Sequence, residues 1–132
     1  LGDRLGQDRL RRTYPLRSLL DAGVNVAGSS DAPIESTDVL TAMDAAVHRD
    51  GIGDAEAITP AEALAAYTTS AATARGAWSG RIEPGQPADL VVLSDDPLTA
   101  PLTSISVDAT CIGGTFHHST LGEAAIHAPP DL

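Results

Sequence analysis

Between Thr13 and Gly23 the chain places Leu16, Leu19 and Leu20 on one helical face, with Pro15 where a first turn tolerates proline and Gly23 where a helix stops. These signals predict a short helix ending at Gly23. Val24, Val26 and Ala27 follow as a brief apolar run, predicting a strand that breaks at Gly28-Ser29-Ser30-Asp31-Ala32-Pro33. Helical spacing returns with Leu40, Met43 and Val47, which predicts a helix from about Ser36 or Thr37 to His48 and a loop over 50–54. Thr59-Pro60-Ala61-Glu62 joins a capping box to a proline at the first helical position, with Leu64 and Tyr67 on one face behind it. Ser70 is expected to cap a further short helix through Ala74, ended by Gly76.

From Trp78 onward the period becomes extended. Pro84-Gly85 signals a turn, and Leu90-Val91-Val92-Leu93 is a continuous apolar run of the kind a buried strand carries, closed by Asp95-Asp96-Pro97. A last hairpin is expected with Thr110-Cys111-Ile112 leading into Gly113-Gly114 and Thr115-Phe116-His117 leading out, because a Gly-Gly pair supplies the positive φ angles of a tight turn. The tail beyond Leu121 is rich in Ala and Pro and is expected to be loose. The chain thus divides near 77–80 into a helical piece and a piece of short strands and turns, without internal repeats.

At 132 residues and 42% hydrophobic content the chain suffices for one compact domain, or part of a larger one. Aromatic residues make up only 3%, so any core is built from small and aliphatic side chains. The formal net charge is -10, with five Arg against two acids in residues 1–17 and three Arg against sixteen acids thereafter. An acidic body repels phosphate backbones and anionic lipid heads, which argues against nucleic-acid and membrane partners. The Arg-rich start is too brief to reverse this and is explained by a solvated helix face.

All eight basic residues are Arg, so Schiff-base chemistry, a Walker-type phosphate loop and a carboxylated-lysine metal bridge are excluded from this chain. The single cysteine, Cys111, forms neither an internal disulfide nor a zinc cluster, and is expected to be an apolar strand residue in a reducing compartment. No apolar run approaches the roughly 18 residues of a spanning helix, and a soluble, cytoplasmic protein is expected. The start at Leu1, within what resembles the middle of a polar helix, suggests a piece of something longer.

Asp31 is the leading candidate for chemistry, because it stands just past a predicted strand, where catalytic side chains of parallel α/β folds gather. The competing explanation is a turn aspartate that satisfies local backbone groups before Pro33. His48 falls late in its helix, where interaction with the C-terminus explains it. His117 and His118 are adjacent on a strand and point to opposite faces, so they do not share an ion easily, and His127 has no ligand partner nearby. Ser29 and Ser30 lack a base and a Gly-x-Ser-x-Gly elbow, which speaks against a serine hydrolase.

Three blocks in order carry a more specific message. Tyr14-Pro15-Leu16-Arg17-Ser18-Leu19-Leu20-Asp21-Ala22-Gly23-Val24 with Gly28-Ser29-Ser30-Asp31-Ala32-Pro33 resembles the last barrel strand of the amidohydrolase superfamily, in the amidohydrolase 3 (YtcJ-like) group. The likeness continues through Thr59-Pro60-Ala61-Glu62-Ala63-Leu64-Ala65-Ala66-Tyr67-Thr68, through residues 80–93 with Asp96-Pro97-Leu98, and ends at Ile112-Gly113-Gly114. The resemblance implies an α/β metal-dependent hydrolase of carbon–nitrogen bonds, with a (β/α)8 barrel and a small composite β-sandwich. Residues 1–79 would hold the last strand and helices of the barrel, 80–118 the C-terminal sandwich strands, and 119–132 the tail.

By that resemblance Asp31 is both metal ligand and catalytic carboxylate, taking a proton from the attacking water and passing it to the leaving nitrogen. The implied cofactor is a divalent metal, zinc, as one or two ions. A bound zinc brings water's pKa to about 7, so a carboxylate beside it needs little basicity. The family's His-x-His, its middle acidic or carboxylated-lysine ligand and its two later histidines have no counterpart here, and a barrel needs about 250 residues. The chain alone is therefore expected to be inactive and to self-associate through surfaces meant for the missing parts. The expected substrate is a small amide-type molecule. Two rival readings are an inactive remnant serving as a binding or structural module, and a metal-free small-molecule domain using the loop 29–33.

Overall fold

The computed structural model describes residues 4, 6–10, 12–77 and 79–122. Local signals explain most of its helices. Helix α1 is Gln7–Leu10, α2 is Leu16–Asp21, α3 is Val39–His48, α4 is Pro60–Tyr67 and α5 is Thr69–Ala74. Gly23 follows α2 with φ 75°, the left-handed stop expected of it. Leu16 and Leu20 pack on the core, whereas Leu19 is exposed, so the buried face is narrower than the leucine spacing predicts.

Helix α3 begins two to three residues later than expected. The carboxylate of Asp38 accepts from the Thr41 backbone N–H at 3.2 Å and from its hydroxyl at 2.7 Å, which makes Asp38 the N-cap. The capping box of α4 forms as predicted: Thr59 N–H donates to Glu62 Oε2 at 2.8 Å and Glu62 N–H donates to Thr59 Oγ1 at 3.2 Å. Thr68, not Ser70, is the N-cap of α5, because α4 and α5 share that residue as their junction. Ser70 lies inside α5, where its carbonyl accepts from Asn25 Nδ2 at 3.0 Å.

Met43 of α3, Ile58, Ala63 of α4, Leu102 and Ile105 form the buried core, with Leu40, Val47, Leu64, Tyr67 and Leu93 packed around them. Leu102 opens a 3-10 turn, Leu102–Ser104, that packs against α3. This turn anchors the strand region to the helices. Full burial of one such side chain stabilises by roughly 1.5–3 kcal/mol.

The strand region is a three-stranded antiparallel sheet of β1 (Leu90–Leu93), β2 (Val107–Ile112) and β3 (Thr115–Ser119), in that spatial order. The Gly-Gly hairpin forms as expected, with Gly113 at φ 55° and Gly114 at φ 81°. Asp89 fastens the turn to the end of β1, accepting from Gly113 N–H at 2.8 Å, while Gly114 N–H donates to Ala88 O at 3.1 Å. The apolar run 90–93 is a strand but not a buried one: Val91 is 54% exposed, and Leu90 and Val92 are exposed as well. Among the described residues β1 has a neighbour only at β2, so one edge and much of its side-chain surface are left uncovered by them.

The strand expected over Val24–Ala27 is absent. Residues 24–30 have no regular structure, and among the described residues their hydrogen bonds are local except for Gly28 N–H donating to Ala66 O at 2.9 Å and the Asn25 bond to α5. A parallel strand exists only by pairing, and the described residues offer it no neighbour. The described residues thus form a small unit of helices and one antiparallel sheet rather than a closed barrel. The tail expected beyond Leu121 falls, from residue 123 on, outside the described residues.

Candidate active site

Asp31 sits at the turn that follows the unpaired segment, with φ 53°, a left-handed conformation that Asp tolerates better than most residues. Its backbone is held locally: the N–H donates to Ser29 Oγ at 3.3 Å and the carbonyl accepts from Ile34 N–H at 2.9 Å. Ser30 Oγ accepts from Ala32 N–H at 3.3 Å. Both serines therefore shape the turn, and neither has a hydrogen bond to a basic side chain among the described residues. The Asp31 carboxylate is exposed and has no hydrogen-bond or ion-pair partner among the described residues. An uncommitted hard oxygen donor fits one position of a divalent metal's shell. No group of three or more His, Cys, Asp or Glu residues among the described ones gathers to complete that shell.

The histidines stay apart from Asp31. His48 ends α3, with Nδ1 3.0 Å from Asp44 Oδ1 and 3.3 Å from the Asp44 carbonyl, which is the helix-terminal role expected of it. The pairing of β2 with β3 slips between Thr110–His118 and Cys111–Phe116, which leaves His117 in a bulge, and His118 Nε2 lies 3.3 Å from Val107 O. His127 lies outside the described residues. Cys111 is buried in β2, paired across to Leu90 and Phe116, in keeping with an apolar strand residue.

Beside the Asp31 turn opens a cavity of ≈ 580 Å³, which Ser29 and Glu35 help to line from either side of that turn. Its walls come from Val26 and Ala27, from the alanine face of α3 and from Tyr67, with Arg49 among them. Burial raises the Tyr67 phenol above its ordinary value, so the hydroxyl stays neutral at the cavity wall. Gly28 is required at this wall, since a Cβ there would stand 2.6 Å from the Tyr67 ring.

Two charged positions escape sequence reasoning. Arg17, grouped above with a solvated basic face, donates to Asp21 Oδ1 at 2.8 Å and to Glu62 Oε1 at 2.6 Å, tying α2 to α4. Hydrogen bonds from the Thr59 backbone, from Arg17 and from the Thr59 hydroxyl pull the Glu62 carboxyl down to about 2. Arg49, which falls between the helix expected to end at His48 and the loop expected over 50–54, is buried and left-handed at φ 62°. No sequence signal marks its burial, because the residues that cover it are distant along the chain: Nη2 donates to Thr13 O at 2.6 Å.

The amidohydrolase family model matches residues 1–118 of the chain. The N-substituted formamide deformylase of Arthrobacter pascens is 37% identical over 121 residues, which is 84% of this chain and 22% of that protein. The "Putative amidohydrolase YtcJ" of Bacillus subtilis (strain 168) is 34% identical over 125 residues, 85% of this chain and 24% of that protein. No solved structure matches the chain. The chain spans less than a quarter of the curated relatives it matches. With the resemblance of its three blocks confirmed over 118 consecutive positions, the chain belongs to the amidohydrolase family.

Proposed function

We propose that the protein to which this chain belongs hydrolyses amide-type carbon–nitrogen bonds of small molecules, and that Asp31 is the carboxylate of this chain that takes part. The observation that carries the reading is the position of Asp31, an exposed and uncommitted carboxylate on a turn beside a cavity of small-molecule size. Support comes from membership of a hydrolase family and from a relative named for deformylating N-substituted formamides.

In this reading Asp31 does two things. It holds one position of a divalent metal, zinc as one or two ions, with the other ligands outside the described residues. The metal, when bound, supplies Lewis-acid activation of water and charge stabilisation at the carbonyl oxygen. Asp31 then accepts the proton of the attacking water and returns it to the leaving nitrogen, so that the amine departs neutral. The Ser29 and Ser30 hydroxyls, by fixing the turn's backbone, keep that carboxylate in place. Residues 24–31 serve as a barrel strand once neighbours flank them, 80–118 contribute strands to a composite sandwich, and the chain on its own is inactive. Its uncovered β1 strand promotes self-association, which sedimentation reads directly.

The test is Asp31→Asn in the whole protein, with metal content measured beside turnover of a formamide or acyl-amine substrate. Turnover is expected to fall by at least about 100-fold with the fold unchanged. Undiminished turnover removes Asp31 from the mechanism, and a metal-free active wild type removes the metal.

A further inference from the structure

Arg49 is a buried charge that hydrolysis by Asp31 does not use. The residue is 7% exposed. Nη2 of its guanidinium is bonded to the Thr13 carbonyl, and Nε is buried without a partner. Among the described residues the ion pairs are Arg17 with Asp21 and Arg17 with Glu62, and Asp44 is engaged by His48, so no carboxylate meets Arg49. Glu56 is near enough to feel its charge, but its two oxygens are taken by the Ser18 backbone N–H at 2.8 Å and the Ser18 hydroxyl at 2.5 Å. A desolvated guanidinium with one neutral acceptor is costly to hold, and an anion placed against it recovers that cost.

The surroundings say which anion. Arg49 stands in the wall of the ≈ 580 Å³ cavity, whose other walls include Ala42, Ala45 and Ala46 of α3, Val26 and Ile58. Such a surface accepts an apolar body and offers little to a heavily hydrated, multiply charged group. Two carboxylates also line the cavity, Glu35 and Asp50, and both are exposed. Water screens them, yet on a chain of net charge -10 they penalise a dianion more than a monoanion.

We propose that this cavity is a binding site for a small monocarboxylate with an apolar body, the carboxylate meeting the Arg49 guanidinium and the body lying on the alanine face of α3. With Nε shielded from solvent and Nη2 bonded to Thr13, a carboxylate would meet the guanidinium through its Nη groups. The cavity is the one beside the Asp31 turn and is shared with the hydrolytic reading, but the Arg49 site is read by binding rather than by turnover, so either can fail without the other.

Calorimetric titration with phenylacetate and with its neutral isostere phenylacetamide tests it. Phenylacetate is expected to bind saturably, one per chain, at least about tenfold more tightly than the amide. Arg49→Gln should erase that preference, and Ala45→Leu, which adds bulk to an exposed position of the cavity wall, should weaken both ligands. Equal affinities for the two ligands, absence of saturation, or an Arg49→Gln protein that still prefers the acid would each overturn the proposal. If Arg49→Gln does not fold by circular dichroism, Ala45→Leu decides: weakened phenylacetate binding supports the site, and unchanged binding sinks it. Should a side chain of the same protein already occupy the guanidinium, neither ligand saturates, and the small-molecule site is wrong.

Discussion

Two short segments predicted as strands, Leu-Val-Val-Leu at 90–93 and Val-Asn-Val-Ala at 24–27, have opposite fates. Leu90–Leu93 is a strand, whereas Val24–Ala27 is not. The difference lies in where their partners are. β1 pairs with β2, which begins fewer than 20 residues later and is itself folded back by a Gly-Gly turn. A parallel barrel strand depends on neighbours brought by long crossovers, and the described residues contain none for the segment 24–27. Strand character is a property of a pair, so a local apolar run predicts it only when the pair is also local.

Even the strand that forms is incomplete. The helices bury Met43 to 1% exposure and Leu102 to 2%, while β1 leaves Val91 more than half exposed. The strand region therefore owes its attachment less to sheet packing than to the turn at Leu102, which is lodged in the helical core.

The largest test of this contrast is Leu102→Ala. Removing a buried leucine costs about 2–5 kcal/mol, and urea denaturation should show the helices and the sheet weakening together. Independent loss of the sheet alone would mean that the two regions are not joined through the core. Next, Gly114→Val places a β-branched side chain at φ 81°. It should cost about 1–2 kcal/mol or more, and the loss of strand signal in circular dichroism would locate the damage at the hairpin.

Thr59→Ala tests the helical side, with an expected cost of about 1 kcal/mol from the lost cap. The paired Glu62 adds a pH signature. Its carboxyl is lowered from its ordinary 4.5 to about 2 in the folded chain. The unfolded state therefore binds the proton first, and the contribution is fully present above about 4.5 and lost as pH falls towards 2. Glu62→Gln should flatten the thermal stability profile in that window, and a profile identical to the parent's would show that the Arg17 and Thr59 bonds do not hold in solution. The smallest effect belongs to Val91→Lys. At this exposed edge position stability should change by no more than about 0.5 kcal/mol, while sedimentation should show less self-association. A strongly destabilised variant would mean that β1 is covered in solution.

Much of the helical piece was legible because its signals are local. The Thr59–Glu62 box, the stop at Gly23 and the spacing of Leu40, Met43 and Val47 all act within a few residues, and each is found where expected. The start of α3 was misplaced because Ser36, Thr37 and Asp38 are all competent caps, and only Asp38 meets Thr41. Of the candidate site, the turn that carries Asp31 was readable, and its backbone contacts follow from residues two or three positions away. The cavity was not readable, since Arg49 meets Thr13 and Tyr67 closes over Gly28 from far along the chain.

The amino-acid sequence by itself determined the Thr59–Glu62 capping box, the Gly-Gly hairpin, the position of Asp31 on a turn and the family to which the chain belongs. Tertiary structure alone decided that residues 24–30 remain unpaired, that β1 stays open and that a guanidinium is buried beside a cavity. The division has one physical cause: short-range hydrogen bonds are written in neighbouring residues, whereas strand pairing and the desolvation of a charge depend on groups that only folding brings together.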